Sequence, residues 1–395
     1  MTSYPTIKIQ GGRDRRINTG APWLYSNELR MDSEARSLAP GSLVRLMAPS
    51  GKIVGVAQFN PHSLIAARVM SRNKDAVVDA GFLKRRIARA LALREQLYAV
   101  PCYRLIHAEG DGLPGLVVDR YHDLLVIQLN TAGMQALVEP LVAALDEVLR
   151  PKAILARNDT SGRTIEGLAA ESVVLRGPVP ERVAVEENGI VFTVAPGDSQ
   201  KTGWFYDQSM NRAFAARLGR DARVLDLYSY SGGFALTAFS RGARSALAVD
   251  RSAGALALAA ESARNQGVAD RLETRTGEAF AVIEGLAAEK TRFGLVIADP
   301  PAFVRTKKDL PVGLRGYRKL AREAAGLVGE AGFLCIACCS HNVTAEMFAV
   351  EVTAGIRTAG RGARLLHAAG AAPDHPIHPA LPETAYLKFL AYALD

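Results

Sequence analysis

The feature that most constrains this 395-residue chain is the alternation of apolar, strand-like runs with helical segments after Pro196. The strand candidates, which are almost continuously apolar, are RVLDLYSY, SALAVD, FGLVIADPP and GFLCIACCS. Helical segments lie between them. SAGALALAAESARNQG has Ser at its N-cap position and Gly at its end, and LRGYRKLAREAAGLVGEA has the pattern of a long amphipathic helix. This pattern predicts a doubly wound parallel sheet covered on both faces. Ligands of such sheets bind beyond the carboxyl ends of the strands.

The first of these strands ends in DLYSYSGGF, which differs from the dinucleotide fingerprint G-x-G-x-x-G. The segment Ser231-Gly232-Gly233 permits close backbone approach, but no Gly-rich cradle for phosphates follows. Asp226 lies in this strand, and Asp250 closes the next one, where a carboxylate can accept hydrogen bonds from ribose hydroxyls. Such a site favours an adenosyl ligand without phosphates, such as S-adenosylmethionine. The alternative is a glycine pair for helix packing and an Asp that caps a helix.

A second candidate site is the end of FGLVIADPP, where Asp299 is followed by Pro300 and Pro301. Two prolines directly after a buried strand stiffen the chain, because each fixes φ and restricts the preceding residue. A carboxylate there lies at the ligand-binding edge of the sheet and can hold the ring-nitrogen or amino edge of a substrate. The alternative is a turn with only a structural role.

Two adjacent cysteines, Cys338 and Cys339, end the strand candidate GFLCIACCS, and His341 follows. If the strand continues through them, alternation places Cys335, Cys339 and His341 on one face and Cys338 on the other. A redox pair works at a helix N-terminus, and zinc needs a second pair of ligands, so no metal is expected. Cys335 is expected in the core, whereas the position of Cys339 favours a nucleophile.

A thiol at this edge has a specific use beside a methyl donor. Carbon 5 of a pyrimidine is a poor nucleophile, and thiolate addition at carbon 6 makes it enamine-like. Asp299 could hold the ring-nitrogen edge while charge redistributes, and a base must then remove the hydrogen from carbon 5. Because the donor, the acid and the thiol are all predicted on one rim, the sequence favours covalent methylation of a pyrimidine.

The N-terminal segment, residues 1–75, is more basic than the rest of the chain. It carries 11 Lys/Arg against 5 Asp/Glu, which is 6 of the 8 excess positive charges. The runs SLVRLMAP, IVGVAQFN and LIAARVMS, separated by turn residues, predict a small β-barrel or sandwich. A basic module favours a polyanion such as RNA, with Arg13, Arg15 and Arg16 for phosphates and Trp23 and Tyr25 for stacking. The alternative is a basic surface that only aids solubility.

Residues 76–195 mix helices and strands. DAGFLKRRIARALALREQL and MQALVEPLVAALDEVLR have the spacing of amphipathic helices. GLPGLVVDRYHDLLVIQLN predicts a hairpin that turns at Tyr121-His122-Asp123, and AILARND and SVVLRG predict strands. The segment contains no metal-ligand spacing and no phosphate loop. It is therefore predicted to be a central α+β domain between the basic module, 1–75, and the doubly wound domain, 196–395.

Composition narrows the class of protein further. The chain is 49% hydrophobic and 22% charged, as in ordinary globular proteins. No apolar run is long enough to cross a bilayer, and the N-terminal sequence does not resemble a signal peptide. A cytoplasmic protein without a membrane segment is expected, in which the four cysteines are free thiols.

These features together resemble the RlmI-type methyltransferases, which make 5-methylcytosine in large-subunit ribosomal RNA. The similar blocks, in order along essentially the whole chain, are AEGDGLPGLVVDRY, QKTGWFYDQSMNR, DLYSYSGGF, DPPAF and DHPIHPALPETAYLK. The resemblance implies an N-terminal PUA-like RNA-binding domain, a central α+β domain and a C-terminal Rossmann-like methyltransferase domain. It also implies S-adenosylmethionine as cofactor and large-subunit ribosomal RNA as partner.

Carried over position by position, the resemblance assigns cofactor contacts to residues in five parts of the sequence. They are Lys201, Thr202, Phe205, Asp207 and Arg212; Asp226, Tyr228, Ser231 and Gly232; Asp250; Glu278; and Asp299 with Pro300. The family's Ser-Cys-Ser matches Cys338-Cys339-Ser340, which makes Cys339 the nucleophile. Asp299, on the same predicted rim, is the second candidate catalytic residue. Cys338 stands where the family has Ser, so a shifted register would make Cys338 the nucleophile instead.

Other functions stay open at this point. Asp-Pro-Pro strand ends also serve enzymes that methylate guanine or other nitrogens without a thiol. A non-catalytic RNA-binding ribosome-assembly factor is a second alternative, although Asp250 and Asp299 argue against it. A small-molecule methyltransferase leaves the basic segment 1–75 unexplained. Family members are often dimeric, so the resemblance also leaves a homodimer open.

Overall fold

The structure is a computed structural model that describes residues 4–198 and 202–395. The chain divides into two compact units. Unit 1 consists of residues 1–181, 196–204 and 373–384, and unit 2 consists of residues 182–195, 205–372 and 385–395. The predicted division into domains at residues 75 and 195 stays a prediction.

Unit 1 begins with a five-stranded sheet in the order β1-β3-β4-β5-β2. The predicted strand runs are confirmed as β3, β4 and β5. Two short helices accompany the sheet, and its core includes Ile17, Leu24, Val44 and Leu46. The elements are β1 (Thr6–Lys8), α1 (Arg15–Asn18), β2 (Trp23–Leu24), α2 (Ser33–Ser37), β3 (Ser42–Met47), β4 (Ile53–Phe59) and β5 (Ala67–Ser71).

The second part of unit 1 is a five-stranded sheet in the order β10-β9-β8-β7-β6, with helices α3 and α5 packed together. The predicted hairpin is confirmed: Tyr121 pairs with Leu124, and His122 in the turn has φ 53°. The elements are α3 (Ala80–Leu97), β6 (Cys102–His107), β7 (Leu116–Tyr121), β8 (Leu124–Leu129), α4 (Ala132–Gln135), α5 (Val138–Leu149), β9 (Ala153–Asn158), α6 (Ser161–Ile165) and β10 (Glu171–Arg176).

Buried Glu166 joins the two parts of unit 1. Its carboxylate accepts hydrogen bonds from Asn60 Nδ2 at 3.0 Å, Ser63 Oγ at 2.9 Å and Arg68 Nη2 at 3.0 Å. Burial alone would raise the pKa of Glu166, but Arg68 and the hydrogen bonds from Asn60 and Ser63 outweigh it, so the pKa lies below its ordinary value. The carboxylate therefore stays charged where a buried acid without partners would not.

Unit 2 contains the predicted doubly wound sheet. Two strands, β11 (Val183–Glu187) and β12 (Ile190–Val194), form a separate antiparallel pair, and the other seven strands form the main sheet. Strands and helices alternate from α7 to β18, and β19 follows: α7 (Ser209–Leu218), β13 (Arg223–Leu227), α8 (Gly233–Phe239), β14 (Ser245–Asp250), α9 (Ala253–Asn265), β15 (Leu272–Thr276), α10 (Ala279–Ala288), β16 (Phe293–Ala298), α11 (Leu310–Leu327), β17 (Val328–Cys338), α12 (Ala345–Thr358), β18 (Ala363–Ala369) and β19 (Lys388–Leu394). The order is β15-β14-β13-β16-β17-β19-β18, and only β19 runs antiparallel to its neighbours.

The central strands are buried because helices cover both faces of the sheet, as continuous apolar runs require. Ser252 caps α9, as predicted, and its Oγ accepts a hydrogen bond from the Ala255 amide at 3.2 Å. Two details differ from the sequence prediction. The helix expected over LRGYRKLAREAAGLVGEA ends at Leu327, because the chain then enters β17. β17 ends at Cys338, so Cys339 and His341 lie beyond the strand and alternation does not set their direction.

Two features are absent from the described residues. No helix there is long and apolar enough to cross a membrane. No group of three or more His, Cys, Asp or Glu residues there could hold a metal ion.

Candidate active site

The loop after β13 has an unusual backbone at the carboxyl edge of the unit 2 sheet. Tyr228, Tyr230 and Gly232 have φ values of 62°, 52° and 76°. Two of these residues are not glycine, and left-handed conformations of this kind cluster at ligand sites. A Cβ at Gly232 would also lie 2.9 Å from Ala259 Cβ, so the turn needs glycine for space as well as for φ.

Asp226 lies in β13, fully buried beneath this loop. Its Oδ2 accepts a hydrogen bond from the Ala235 amide in α8 at 3.0 Å. Burial raises the pKa of Asp226 to about 8; the Ala235 amide lowers it, and the nearby Asp299 and Asp250 raise it further. The group is therefore mainly protonated near neutral pH and can donate as well as accept.

Three buried polar atoms at this position are unsatisfied by the protein. Asp226 Oδ1, Ser229 Oγ and Ser231 Oγ have no hydrogen-bond partner among the described residues. Buried polar groups are nearly always hydrogen-bonded, so each such atom calls for a ligand or water. Together with the close backbone at Gly232, these atoms fit a ligand rich in donors and acceptors, such as S-adenosylmethionine. Ser229 was not among the predicted site residues; its buried, unsatisfied hydroxyl in the left-handed loop identifies it in the structure.

Asp250 ends β14 beside the same loop. Its Oδ2 accepts from the Tyr230 amide at 2.9 Å, and its Oδ1 accepts from the Ser252 amide at 2.8 Å. The carboxylate is half-buried, and each oxygen keeps a lone pair for a further donor. Glu278 is exposed at the N-cap of α10. Burial raises the pKa of Tyr228 to about 12, and the negative charge of Glu278 contributes to this shift.

The segment before α7 supports the loop. Phe205 packs edge-on against Tyr230, with ring centroids 5.3 Å apart. Arg212 pairs with Glu187 at 2.6 Å, and it donates to the Phe205 carbonyl at 2.8 Å. Asp207 Oδ2 accepts from Tyr386 Oη at 2.5 Å. Arg212 and Asp207 are buried, and the described contacts give both a supporting role.

Two further residues that the resemblance assigns to the cofactor are Lys201 and Thr202. Lys201 lies outside the described residues. Thr202 belongs to the 196–204 segment of unit 1, where it is buried and its carbonyl accepts from Tyr121 Oη at 3.0 Å.

The thiol candidate lies at the same edge of the sheet as Asp299. Cys339 is half-buried, and its Sγ lies 3.8 Å from the Pro300 carbonyl oxygen. The Asp299 amide donates to the Leu227 carbonyl at 3.3 Å, which ties the Asp-Pro-Pro segment to the end of β13. Cys338, by contrast, is completely buried. Of the two adjacent cysteines, only Cys339 exposes part of its surface.

A hydrogen-bonded clamp holds the two loops that carry Asp299 and Cys339. Tyr317 Oη and Ser340 Oγ are 3.0 Å apart, and both are buried. Ser340 Oγ also accepts from the Val304 amide at 3.2 Å, and Tyr317 Oη accepts from the Phe303 amide at 3.4 Å. Sequence reasoning missed this clamp, because Tyr317 lies on a helix whose pattern shows only an apolar face.

The predicted RNA-binding residues lie in the first part of unit 1. Arg13 and Arg15 are exposed. The Arg16 guanidinium lies 4.7 Å above the centroid of the Tyr25 ring. Trp23 is half-buried, and its indole nitrogen donates to Glu109 at 2.7 Å. This contact uses the indole N–H inside the protein, and the assignment of these five residues to RNA stays a prediction.

Known protein families match both the N-terminal and the C-terminal part of the chain. The family described as a PUA-like domain matches residues 7–72, and the family described as S-adenosylmethionine-dependent methyltransferase matches residues 166–393. A relative from Shewanella denitrificans is 35% identical over 97% of this chain and 98% of its own length. A second, from Aliivibrio fischeri, is 35% identical over 98% of both. Both are named ribosomal RNA large subunit methyltransferase I.

The chain belongs to this methyltransferase family. Its cofactor is S-adenosylmethionine, as predicted. The predicted PUA-like N-terminal domain and Rossmann-like methyltransferase domain are confirmed.

Two solved structures agree with this fold. One is a protein of Streptococcus mutans assigned as a SAM-dependent methyltransferase, with a TM-score of 0.83 and 19% identity over 98% of this chain and all of that one. The other, assigned as a methyltransferase and solved with SAH, has a TM-score of 0.84 and 20% identity over the same shares.

Proposed function

We propose that this methyltransferase acts on carbon 5 of cytosine in large-subunit ribosomal RNA and uses Cys339 as a covalent nucleophile. The relatives' shared name supports ribosomal RNA as the substrate. The observation that carries the chemistry is the position of Cys339, a partly exposed thiol 3.8 Å from the Pro300 carbonyl. It lies at the sheet edge that also carries Asp226 and Asp250.

The first step of the proposed reaction is nucleophilic addition by the thiol. The Cys339 thiolate adds to carbon 6 of the cytosine, and the ring electrons that this addition displaces make carbon 5 nucleophilic. Carbon 5 could then accept a methyl group, which S-adenosylmethionine, when bound, would supply as its sulfonium becomes a neutral thioether. A base removes the hydrogen from carbon 5, the bond between sulfur and carbon 6 breaks, and the ring double bond returns with a free thiolate.

Asp299 acts on the other edge of the ring. Its carboxylate follows directly after β16 and is half-buried, so water screens its charge only in part. A carboxylate at this place can accept hydrogen bonds from the amino edge of cytosine while charge moves through the ring. The clamp between Tyr317 and Ser340 holds the loops that carry Asp299 and Cys339, which keeps the acid and the thiol in one arrangement.

When bound, S-adenosylmethionine supplies an electrophilic methyl group on a sulfonium. The residues that would hold it are Asp226, Ser229, Ser231 and Asp250, with the backbone at Gly232. The three unsatisfied oxygens described above are available to its polar atoms, and Asp250 can accept from its ribose hydroxyls.

Trapping of the covalent intermediate tests the proposal. Large-subunit ribosomal RNA is transcribed with 5-fluorocytidine and incubated with the protein and S-adenosylmethionine. Fluorine cannot leave carbon 5 as a proton does, so the thiol stays attached to the RNA. We expect an adduct that survives a denaturing gel and a modified peptide that carries the RNA at Cys339.

Matched variants separate the two thiols. We expect Cys339→Ala to abolish the adduct and Cys338→Ala to retain it, with small-subunit RNA of the same composition as a substrate control. Methyl transfer to ordinary RNA without any adduct would contradict the thiol chemistry and favour methylation of a nitrogen. Absence of methyl transfer, with S-adenosylhomocysteine still bound in calorimetry, would favour a non-catalytic assembly factor.

A further inference from the structure

Lys388 is a buried cation on the strand next to the one that ends in Cys338. It is the first residue of β19 and pairs in register with Cys338 of β17. The residue is only 7% exposed. Its Nζ donates to the Ser340 carbonyl at 2.6 Å and to the Tyr386 carbonyl at 2.7 Å. The ammonium is thus fixed against the backbone of the residue that follows Cys339.

Within the described part of the chain, no carboxylate forms an ion pair with the buried ammonium of Lys388. Burial of an unpaired ammonium is costly unless a negative group lies nearby. Burial lowers the pKa of Lys388, and the charges of Cys338 and Cys339 together with a hydrogen bond to Cys338 act in the opposite direction. The two thiols are therefore the groups whose ionised form offsets the buried charge.

Among the described residues, the other titratable groups around the sulfur atoms do not supply a positive charge. Burial raises the pKa of Tyr317, which reaches Cys338 and Ser340 from α11, so its phenol stays neutral. Asp299 precedes the Pro300 carbonyl that Cys339 contacts, and its negative charge opposes a thiolate. His341 is exposed, so solvent and salt screen its charge. Lys388 is the group that can favour an anion at Cys339.

We infer that Lys388 is a positioning residue: its buried ammonium holds the Ser340 carbonyl and favours the thiolate form of Cys339. The catalytic use of that thiolate rests on the function proposed above. The thiol proton leaves to solvent, and Lys388 neither takes nor gives a proton in this step. Cysteines beside Lys or Arg are more readily ionised than free thiols, and only the thiolate attacks an electrophile.

Alkylation of Cys339 tests this inference without any RNA. The rate of its reaction with iodoacetamide is measured between pH 6 and 10, with tandem mass spectrometry to locate the modified thiol. In the unmodified protein we expect a midpoint below about 8.5, the value for free cysteine. In Lys388→Met the midpoint rises by about one unit, so the rate at pH 7 falls about tenfold. Lys388→Arg, which keeps the charge, restores the lower midpoint.

Control variants distinguish an effect of the Lys388 charge from an effect on folding. Lys319→Met removes an exposed lysine of α11 and is expected to leave the midpoint unchanged. A purely structural role for Lys388 would change the limiting rate at high pH rather than the midpoint. An unchanged midpoint in Lys388→Met that still binds S-adenosylhomocysteine overturns the inference. A wild-type midpoint at or above that of free cysteine also overturns it, whatever the variants do.

This measurement is independent of the RNA-trapping experiment. A shifted midpoint without an RNA adduct would leave the role of Lys388 standing and remove the proposed cytosine chemistry. An adduct without a shifted midpoint would support the proposed cytosine chemistry and overturn the role of Lys388.

Discussion

Burial of Asp226 links proton binding to the stability of unit 2. Its pKa is 3.8 in an unfolded chain and about 8 in the folded protein. Between these values the folded state holds a proton that the unfolded state has lost. The stabilisation from this group is therefore complete below pH 3.8 and is lost as the pH rises through 8.

Asp226→Asn removes this titration, because the amide stays neutral at every pH. We expect the melting temperature of the variant, relative to wild type without cofactor, to rise by about 10 °C between pH 5 and pH 8. Differential scanning calorimetry at both pH values measures this difference. Asp221→Asn, which alters an exposed carboxylate with 83% of its side chain accessible, serves as the control. A difference for Asp226→Asn that does not change with pH would show that burial does not raise its pKa in this way.

At the residue scale, the positions of the candidate acids and thiol were easier to predict from the sequence than the residues that contact them. Asp250, Asp299 and Cys339 stand at strand ends, where the pattern of apolar runs locates them. Lys388 and Tyr317 are distant from the two cysteines along the chain and reach them only through strand pairing and helix packing. Contacts of this kind depend on register, which a single sequence does not reveal.

At the scale of elements, α11 and α12 pack closely because α12 has a glycine, Gly355, where the two helices meet. A Cβ at Gly355 of α12 would overlap the Arg318 carbonyl oxygen and lie 2.9 Å from Ala321 Cβ, both on α11. In a helix interior, Gly→Ala normally stabilises by about 1 kcal/mol. At Gly355 the added methyl group would overlap the backbone of α11, so the substitution destabilises the protein instead.

We therefore expect Gly355→Ala to lower the free energy of unfolding by about 2 kcal/mol. Gly285→Ala in α10 is the matched control, since this glycine is exposed and a Cβ would meet nothing within 4 Å. The control is expected to raise the free energy of unfolding by about 0.5–1 kcal/mol. Urea titrations of both variants measure the two effects. Stabilisation by both substitutions would contradict the close approach of the two helices.

Sequence patterns predicted most of the elements, and the exceptions have a physical reason. Continuous apolar runs identified β13, β14, β16 and β17, because strands buried on both faces lack polar positions. The end of β17 at Cys338 was not predicted, since Cys is itself compatible with a buried strand and no Gly or Pro follows. The start of β17 at Val328 was missed for a similar reason, because helix and strand share the small and apolar residues GLVGEA.

At the scale of the whole molecule, the excess positive charge is concentrated in the N-terminal segment, which is separate in sequence from the candidate active site. The N-terminal segment 1–75 holds 6 of the 8 excess positive charges, and the candidate cofactor and thiol site lies in unit 2. Arg15 and Arg16 belong to α1, and the Arg16 guanidinium lies over the Tyr25 ring. If this surface binds RNA phosphates, affinity for RNA and affinity for the cofactor are separable.

The double variant Arg15→Glu, Arg16→Glu is therefore expected to weaken RNA binding and to leave S-adenosylhomocysteine affinity unchanged. Loss of two phosphate contacts should also reduce the slope of log affinity against log salt by about 1–2. Filter binding at several salt concentrations measures the slope, and calorimetry measures the cofactor. Arg217→Glu, Arg220→Glu makes the same charge change at exposed positions of unit 2 and serves as the control. An equal loss in both variants would mean that net charge, rather than the α1 surface, governs RNA binding.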